Sequence, residues 1–193
     1  MKMFRVMGKL SVAPNCYVMV GEKSALVIDP VIKYNVITEH ADKPVTMVLI
    51  THGHYDHFYE LASYLEQGVK VYLHPEAAKK LADPKTSASR DFCENLKFEL
   101  TKSQAKFVKQ GDVIKFETHK ILAHEFGGHT DCGLVFELNQ NLFVGDLVFA
   151  GGYVGRTDLP TSNPEEMQKS LERFENDFNG YTVYSGHGDE FVH

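Results

Sequence analysis

Val45-Thr46-Met47-Val48-Leu49-Ile50-Thr51-His52-Gly53-His54-Tyr55-Asp56-His57 is the stretch on which the reading of this chain turns. Residues 45–50 are a short, unbroken apolar run rich in β-branched side chains, the pattern of a strand buried on both faces. Three His and one Asp then fall within the six residues 52–57. In extended chain, residues two apart face the same way, so His52 and His54 can aim at one point. Asp56 and His57 follow where the chain turns toward a helix and can aim at a neighbouring point. Neutral imidazole and carboxylate suit a borderline cation such as zinc. Sites of this kind are commonly built where strands run out into loops.

Outward from this stretch, residues 3–7, 16–20 and 25–29 read as strands, with Gly21-Glu22-Lys23-Ser24 as a hairpin turn and Pro30 ending the third run. A short helix is expected over 33–41. His57 to Gln67 carries Phe58, Leu61, Ala62 and Leu65 at helical spacing, with Gly68 as its C-terminal stop. Residues 69–73 read as a strand and 75–82 as a helix opened by Pro75. Residues 83–106 mix Pro, Lys, Ser and Thr around Phe92, Leu96 and Leu100, and are expected to be a loop plus a helix. Strands return over 107–109, 113–118, 120–124, 133–138 and 141–145. Asn163, Pro164 and Glu166 mark the start of a last helix whose buried stripe is Met167, Leu171 and Phe174. Residues 181–185 are the final strand. Two β-rich halves with intervening helices imply two sheets packed face to face with helices outside. At 193 residues the chain is expected to form a single domain spanning 1–193.

Polar residues recur where the later strands end: Gly127-Gly128-His129-Thr130, Gly145-Asp146 and Gly186-His187-Gly188. With the 52–57 cluster they bring the candidate ligands to seven: His52, His54, Asp56, His57, His129, Asp146 and His187.

Composition bounds the function classes. The formal charge is −6, from 20 basic and 26 acidic residues. Nucleic acid is not the expected partner, because phosphate binding needs a basic face. No apolar stretch approaches the roughly 18 residues of a membrane span, so no membrane partner is expected. Lys2, Arg5 and Lys9 interrupt any signal-peptide core. Cys16, Cys93 and Cys132 form no C-x-x-C pair, and a reducing cytoplasm is the expected compartment. Cys132 reads as a small buried residue rather than a nucleophile.

The ordered set His52-x-His54-x-Asp56-His57, His129, Asp146 and His187 resembles the metallo-β-lactamase superfamily, over about residues 15–188. The resemblance implies an α+β, four-layer αββα sandwich with the metal site at one edge of the sheets. It implies two divalent metal ions, zinc first, with iron or manganese as alternatives. By position, His52, His54 and His129 would hold one metal, Asp56, His57 and His187 the other, and Asp146 would bridge them. Gly145-Asp146-Leu147-Val148-Phe149 and Gly155-Arg156-Thr157-Asp158-Leu159-Pro160 are similar to the hydroxyacylglutathione hydrolases (glyoxalase II), most closely their short relatives. That implies hydrolysis of a small thioester, a glutathione conjugate among the candidates, by a hydroxide shared between the metals and oriented by catalytic Asp56. The alternatives on the same residues are an iron persulfide dioxygenase, which shares the Gly-Arg-Thr-Asp stretch, and a lactonase or phosphodiesterase. A non-enzymatic metal-binding protein fits less well, since all seven ligand positions are filled.

Two departures from the family pattern stand out. Gly127-Gly128 replaces the usual Pro-Gly, and the sequence ends six residues beyond His187, where long glyoxalase II enzymes continue into the helical domain that holds glutathione. Arg156 and Asp158 read as either an ion pair that orders their loop or a substrate contact. Tyr153, residues 151–155 and the 83–106 segment are expected around the pocket. His40, His74, His119, His124 and His193 match no ligand position. His124 is expected as a partly buried residue at a strand end, with a place behind a ligand as the alternative, and His193 is expected to be mobile.

Overall fold

A computed structural model describes residues 1–10, 12–92 and 95–193. Cys93 therefore lies outside the described residues. The first sheet is built from β1 (Lys2–Met7), β2 (Asn15–Val20), β3 (Ala25–Ile28), β4 (Val45–Leu49), β5 (Lys70–Leu73) and β6 (Ala105–Phe107), side by side in chain order. β1, β2 and β3 are antiparallel neighbours, and β3 through β6 run parallel. The parallel steps need crossovers. These are supplied by α1 (Tyr34–Ala41), α2 (Leu61–Leu65) and α3 (Pro75–Leu81), with a short α4 (Ser89–Phe92) on the way to β6.

The second sheet contains β7 (Val113–Phe116), β8 (His119–Glu125), β9 (Leu134–Leu138) and β10 (Asn141–Gly145). A small separate hairpin, β11 (Val148–Phe149) and β12 (Tyr153–Val154), follows, then α5 (Pro164–Asp177), β13 (Thr182–Ser185) and β14 (Phe191–Val192). The sheet order is β14-β13-β10-β9-β8-β7, with only the β10–β13 step parallel.

Alternate side chains explain why the strand runs are apolar without a polar phase. On β2 to β4, Tyr17, Met19, Leu26, Ile28, Met47 and Leu49 point between the sheets and meet Ile114, Phe116, Ile121, Leu134, Phe136 and Phe143. Their neighbours Val18, Val27, Val48 and Val71 point the other way, onto Ile37, Leu61, Tyr64 and Leu81 of the first helical layer. Val135, Leu142, Val144 and Val183 pack on Met167, Phe174 and Phe178 of the other. Both faces of each sheet are covered, giving the four-layer αββα arrangement expected from the sequence.

Two expected elements depart from the sequence reading, and three short strands were not expected. The helix expected from His57 is a 3-10 turn at Tyr55–His57 followed by α2 from Leu61. Tertiary bonds cause the break: the His57 ring is drawn to Asp29, and the Glu60 amide donates to the Pro30 carbonyl at 3.1 Å. The strand expected at 107–109 lies at 105–107 and belongs to the first sheet, because Ala105 pairs with Val71 of β5. The β11–β12 hairpin and β14 are too short to leave a periodic signal. His193 is pinned rather than loose: its amide donates to the Tyr181 carbonyl at 2.9 Å, and its ring lies 4.8 Å from that of Phe174. No helix among the described residues is long and apolar enough to cross a membrane.

Candidate metal centre

Five loops converge at one edge of the sandwich. They follow β3, β4, β8, β10 and β13, and they carry Asp29, residues 51–57, His129, Asp146 and His187. Each is held by backbone bonds to a neighbour. The Leu134 amide donates to the Thr51 carbonyl at 2.8 Å, and the Gly186 amide to the Gly145 carbonyl at 2.7 Å. The Asn15 amide reaches the Gly186 carbonyl at 2.7 Å, and the Asn15 side chain donates to the carbonyls of Ser185 and Gly188. These bonds join the first sheet to the loop that bears His187. Gly186 must be glycine here, since a Cβ would sit 2.2 Å from Asp146 Oδ1 and 2.6 Å from His57 Cε1.

All seven sequence-derived candidates meet at this edge. The ring nitrogens of His52, His54 and His129 form one triad, and His52, His57 and Asp146 a second. A third is made by Asp56, His57 and His187. His54 Nδ1 lies 3.1 Å from His52 Nε2 and 2.9 Å from His129 Nε2. Asp146 reaches both ends of the cluster: Oδ1 is 3.3 Å from His57 Nε2, and Oδ2 is 3.6 Å from His129 Nε2 and 3.5 Å from His187 Nε2. Asp56 Oδ2 stands 3.3 Å from His187 Nε2.

The outward-facing ring nitrogens set the tautomers. His129 Nδ1–H donates to the Arg156 carbonyl at 2.9 Å and His187 Nδ1–H to the Val12 carbonyl at 2.7 Å. His57 Nδ1–H donates to Asp29 Oδ2 at 2.8 Å. The Thr51 hydroxyl donates to the same carboxylate at 2.7 Å, so its oxygen accepts from His52 Nδ1–H at 3.2 Å. His52 and His129, with Nδ1 turned outward, therefore present Nε2 inward, against His54 Nδ1. One proton can satisfy at most one of these close pairs, whereas a cation accepts all three nitrogens.

Asp29 was not a candidate in the sequence, where it read as the end of a strand. Its carboxylate takes the Thr51 amide at 2.8 Å and also holds Thr51 Oγ1 and His57, so it braces both halves of the 51–57 loop. The available signal was an acid placed directly after a fully apolar strand and before a proline. His124 is the partly buried residue expected near the end of its strand, its Nε2 paired with Glu137 at 2.8 Å. Arg156 is locked to Asp158 by two contacts of 2.6 Å, the ion-pair reading of that motif.

The electrostatics fit a cation. Burial, reinforced by His57 and His54, pushes His52 well below its ordinary value. Burial and His129 push His54 down to about 3, leaving neutral imidazole, the form that ligates. Burial opposes charge on Asp146, but His57 and His187 outweigh it and hold the carboxyl well below its usual range. Burial likewise opposes protonation of His57, and Asp146, Asp56 and Asp29 outweigh it, raising that ring well above its ordinary value. Two carboxylates thus demand positive charge at the centre. Of the five buried side-chain polar atoms without a hydrogen-bond partner among the described residues, three are here: His54 Nε2, His57 Nε2 and Asp146 Oδ1. Orphaned buried groups of this kind call for a ligand.

Above the cluster lies a cavity of about 560 Å³ whose floor is His54, Asp56, His129, Asp146 and His187. The 83–106 segment supplies Ala88 and Phe92 to its wall, and the hairpin after Asp146 supplies Phe149 and Tyr153.

A model of the metallo-beta-lactamase superfamily matches residues 12–187. The chain is 32% identical to a probable polyketide biosynthesis zinc-dependent hydrolase, BaeB, of Bacillus velezensis, over 89% of this chain and 72% of that protein. It is 29% identical to the hydroxyacylglutathione hydrolase GloC of Haemophilus influenzae, over 78% and 73%. Among solved structures, the di-iron-bound form of TTHA1623 superposes with a TM-score of 0.81 at 24% identity, covering 98% of this chain and 94% of that one. With its fold and its seven converging side chains, the chain belongs to the metallo-beta-lactamase superfamily of metal-dependent hydrolases.

Proposed function

We propose that this protein is a binuclear metal-dependent thioester hydrolase. The observation that carries the reading is the Asp146 carboxylate, which touches His57 with one oxygen and both His129 and His187 with the other. His52, His54 and His129 would hold one cation and Asp56, His57 and His187 a second, with Asp146 placed between the two groups. Zinc suits this nitrogen and oxygen donor set, and the similar Bacillus velezensis protein is a probable zinc-dependent hydrolase. When bound, two such cations supply Lewis acidity and lower the pKa of water to about 7.

The protein's own residues do the rest. Asp29, Thr51 and the carbonyls of Val12 and Arg156 hold the imidazoles in the tautomer that points inward. Asp56, on the cavity floor, orients the attacking water toward the carbonyl carbon. The water oxygen bonds to that carbon and the C–S bond breaks; of the two protons the water loses, one neutralises the leaving thiolate and one passes to solvent, giving a carboxylate and a thiol. No electron acceptor is required. The two buried cysteines, Cys16 and Cys132, are free, which fits a reducing cytoplasm. Burial raises both thiols, Cys16 to about 12, so neither serves as a nucleophile.

The test is metal analysis beside a panel of thioesters, lactones and phosphodiesters. Two equivalents of metal and preferential thioester cleavage are expected. Asp146→Ala lowers metal content toward one equivalent and thioester turnover by on the order of a hundredfold or more. Full metal and full turnover in that variant refute the binuclear reading, and oxygen uptake with a persulfide on an iron-loaded protein replaces it with dioxygenase chemistry.

A further inference from the structure

The walls of the cavity differ in kind from its floor. Val12, Tyr55, Phe92, Phe149, Tyr153 and Leu159 surround the ligand cluster. Tyr55 and Phe92 stand as a flat wall, their rings within 9° of parallel with centroids 5.9 Å apart. Phe92 is 61% exposed, Tyr153 74% and Val12 47%, so a contiguous apolar rim faces solvent directly beside the polar centre. Arg156 is the one Lys or Arg among the described lining residues, and Asp158 takes its Nε and Nη2 at 2.6 Å each. A glutathione thioester carries two carboxylates and an ammonium. Beyond the metal centre, the described lining offers these two carboxylates a single guanidinium, already shared with Asp158, and desolvating a carboxylate unpaired is costly. An alkyl chain, by contrast, gains from every methylene that covers the rim.

We propose that the substrate is a medium-chain acyl thioester of an uncharged thiol, its acyl chain lying along Phe92, Tyr55 and Tyr153 rather than a glutathione conjugate. This rests on the thioester reading above for the reaction, and on the rim alone for the specificity.

The test crosses chain length with thiol on the metal-loaded protein. Acetyl, butyryl, hexanoyl and octanoyl thioesters of N-acetylcysteamine are compared with the same acyl groups on glutathione. Rising kcat/KM is expected, roughly threefold per methylene, and thus on the order of several hundredfold from acetyl to octanoyl. Glutathione is expected to bring no gain. Phe92→Ala and Tyr153→Ala each compress the octanoyl-to-acetyl ratio by about tenfold. Calorimetry with the uncleavable ethyl and octyl thioethers of N-acetylcysteamine and of glutathione reads both preferences without turnover. Equal rates for acetyl and octanoyl, or at least about a tenfold gain from glutathione in turnover and in thioether binding, overturn the specificity and leave the thioester reaction standing. Chain-length-dependent thioether binding with no cleavage of any thioester sinks the reaction and keeps the apolar recognition.

Discussion

Asp29 shows how a single residue governs the centre without touching the cavity. Its backbone sits at φ 55, in the left-handed region that Asp tolerates better than most residues. That turn sends its carboxylate back to Thr51 and His57 rather than out with the strand. An amide in its place accepts fewer of these three bonds and frees the His57 ring to rotate. Asp29→Asn is expected to lower metal affinity by about 10- to 100-fold with the fold retained. Competitive chelator titration measures the first and circular dichroism the second, and unchanged affinity would remove Asp29 from the supporting role. The seven ligand-type residues were legible in the sequence because their spacing and order are local and repeated at strand ends. Asp29 was not, because it becomes a partner of His57 only when β3 pairs with β4.

At the scale of elements, α5 sets the position of the His129 loop. Asn163 caps the helix, accepting from the amides of Glu165 and Glu166 at 3.0 and 3.1 Å, as the sequence indicated. The expected reciprocal bond from Glu166 is replaced by a tertiary one, in which the Asn163 amide donates to the Gly128 carbonyl at 2.8 Å. The Ser162 hydroxyl donates to the His129 carbonyl and that of Ser170 to the Gly127 carbonyl, both at 2.7 Å. Gly128 has φ 119 and lies so close to the helix that a Cβ would stand 2.3 Å from Met167 Cα. Gly128→Ala must therefore push helix and loop apart. It is expected to cost about 2 kcal/mol or more in urea unfolding and to weaken metal binding. A variant that is as stable as the parent would show the contact to be relaxed. Gly127-Gly128 is where this chain departs from the usual Pro-Gly of its family, and the structure assigns the second glycine a steric reason.

Across the whole molecule, the two sheets are tied together at the end opposite the metal centre by one carboxylate. Glu117, in the β7–β8 turn, accepts from the amides of Glu22, Lys23 and Ser24 at 2.7, 2.9 and 3.0 Å, and from the Ser24 hydroxyl at 3.1 Å. These bonds to the β2–β3 turn lower its pKa from 4.5 to about 2. A depressed folded-state value means the clamp contributes fully above the unfolded value and is lost as pH falls through the folded one. Stability is therefore expected to decline between pH 4.5 and about 2, with Glu117→Gln flattening that part of the profile. Unfolding midpoints in urea across this range measure it, and an identical slope in the variant would count against the clamp. The apolar strand runs and helix caps indicated by themselves two packed sheets with helices outside, and the His and Asp residues at strand ends the seven candidate ligands; the superfamily followed from the resemblance of that ordered set. They act through neighbours in the chain, where periodicity and spacing are enough. Only the tertiary structure decided the break between Tyr55–His57 and α2, the pairing of β6 with the first sheet, the roles of Asp29 and Glu117, and the apolar rim. Each of these depends on contacts between segments distant in sequence, whose strength exceeds the local preference of either partner.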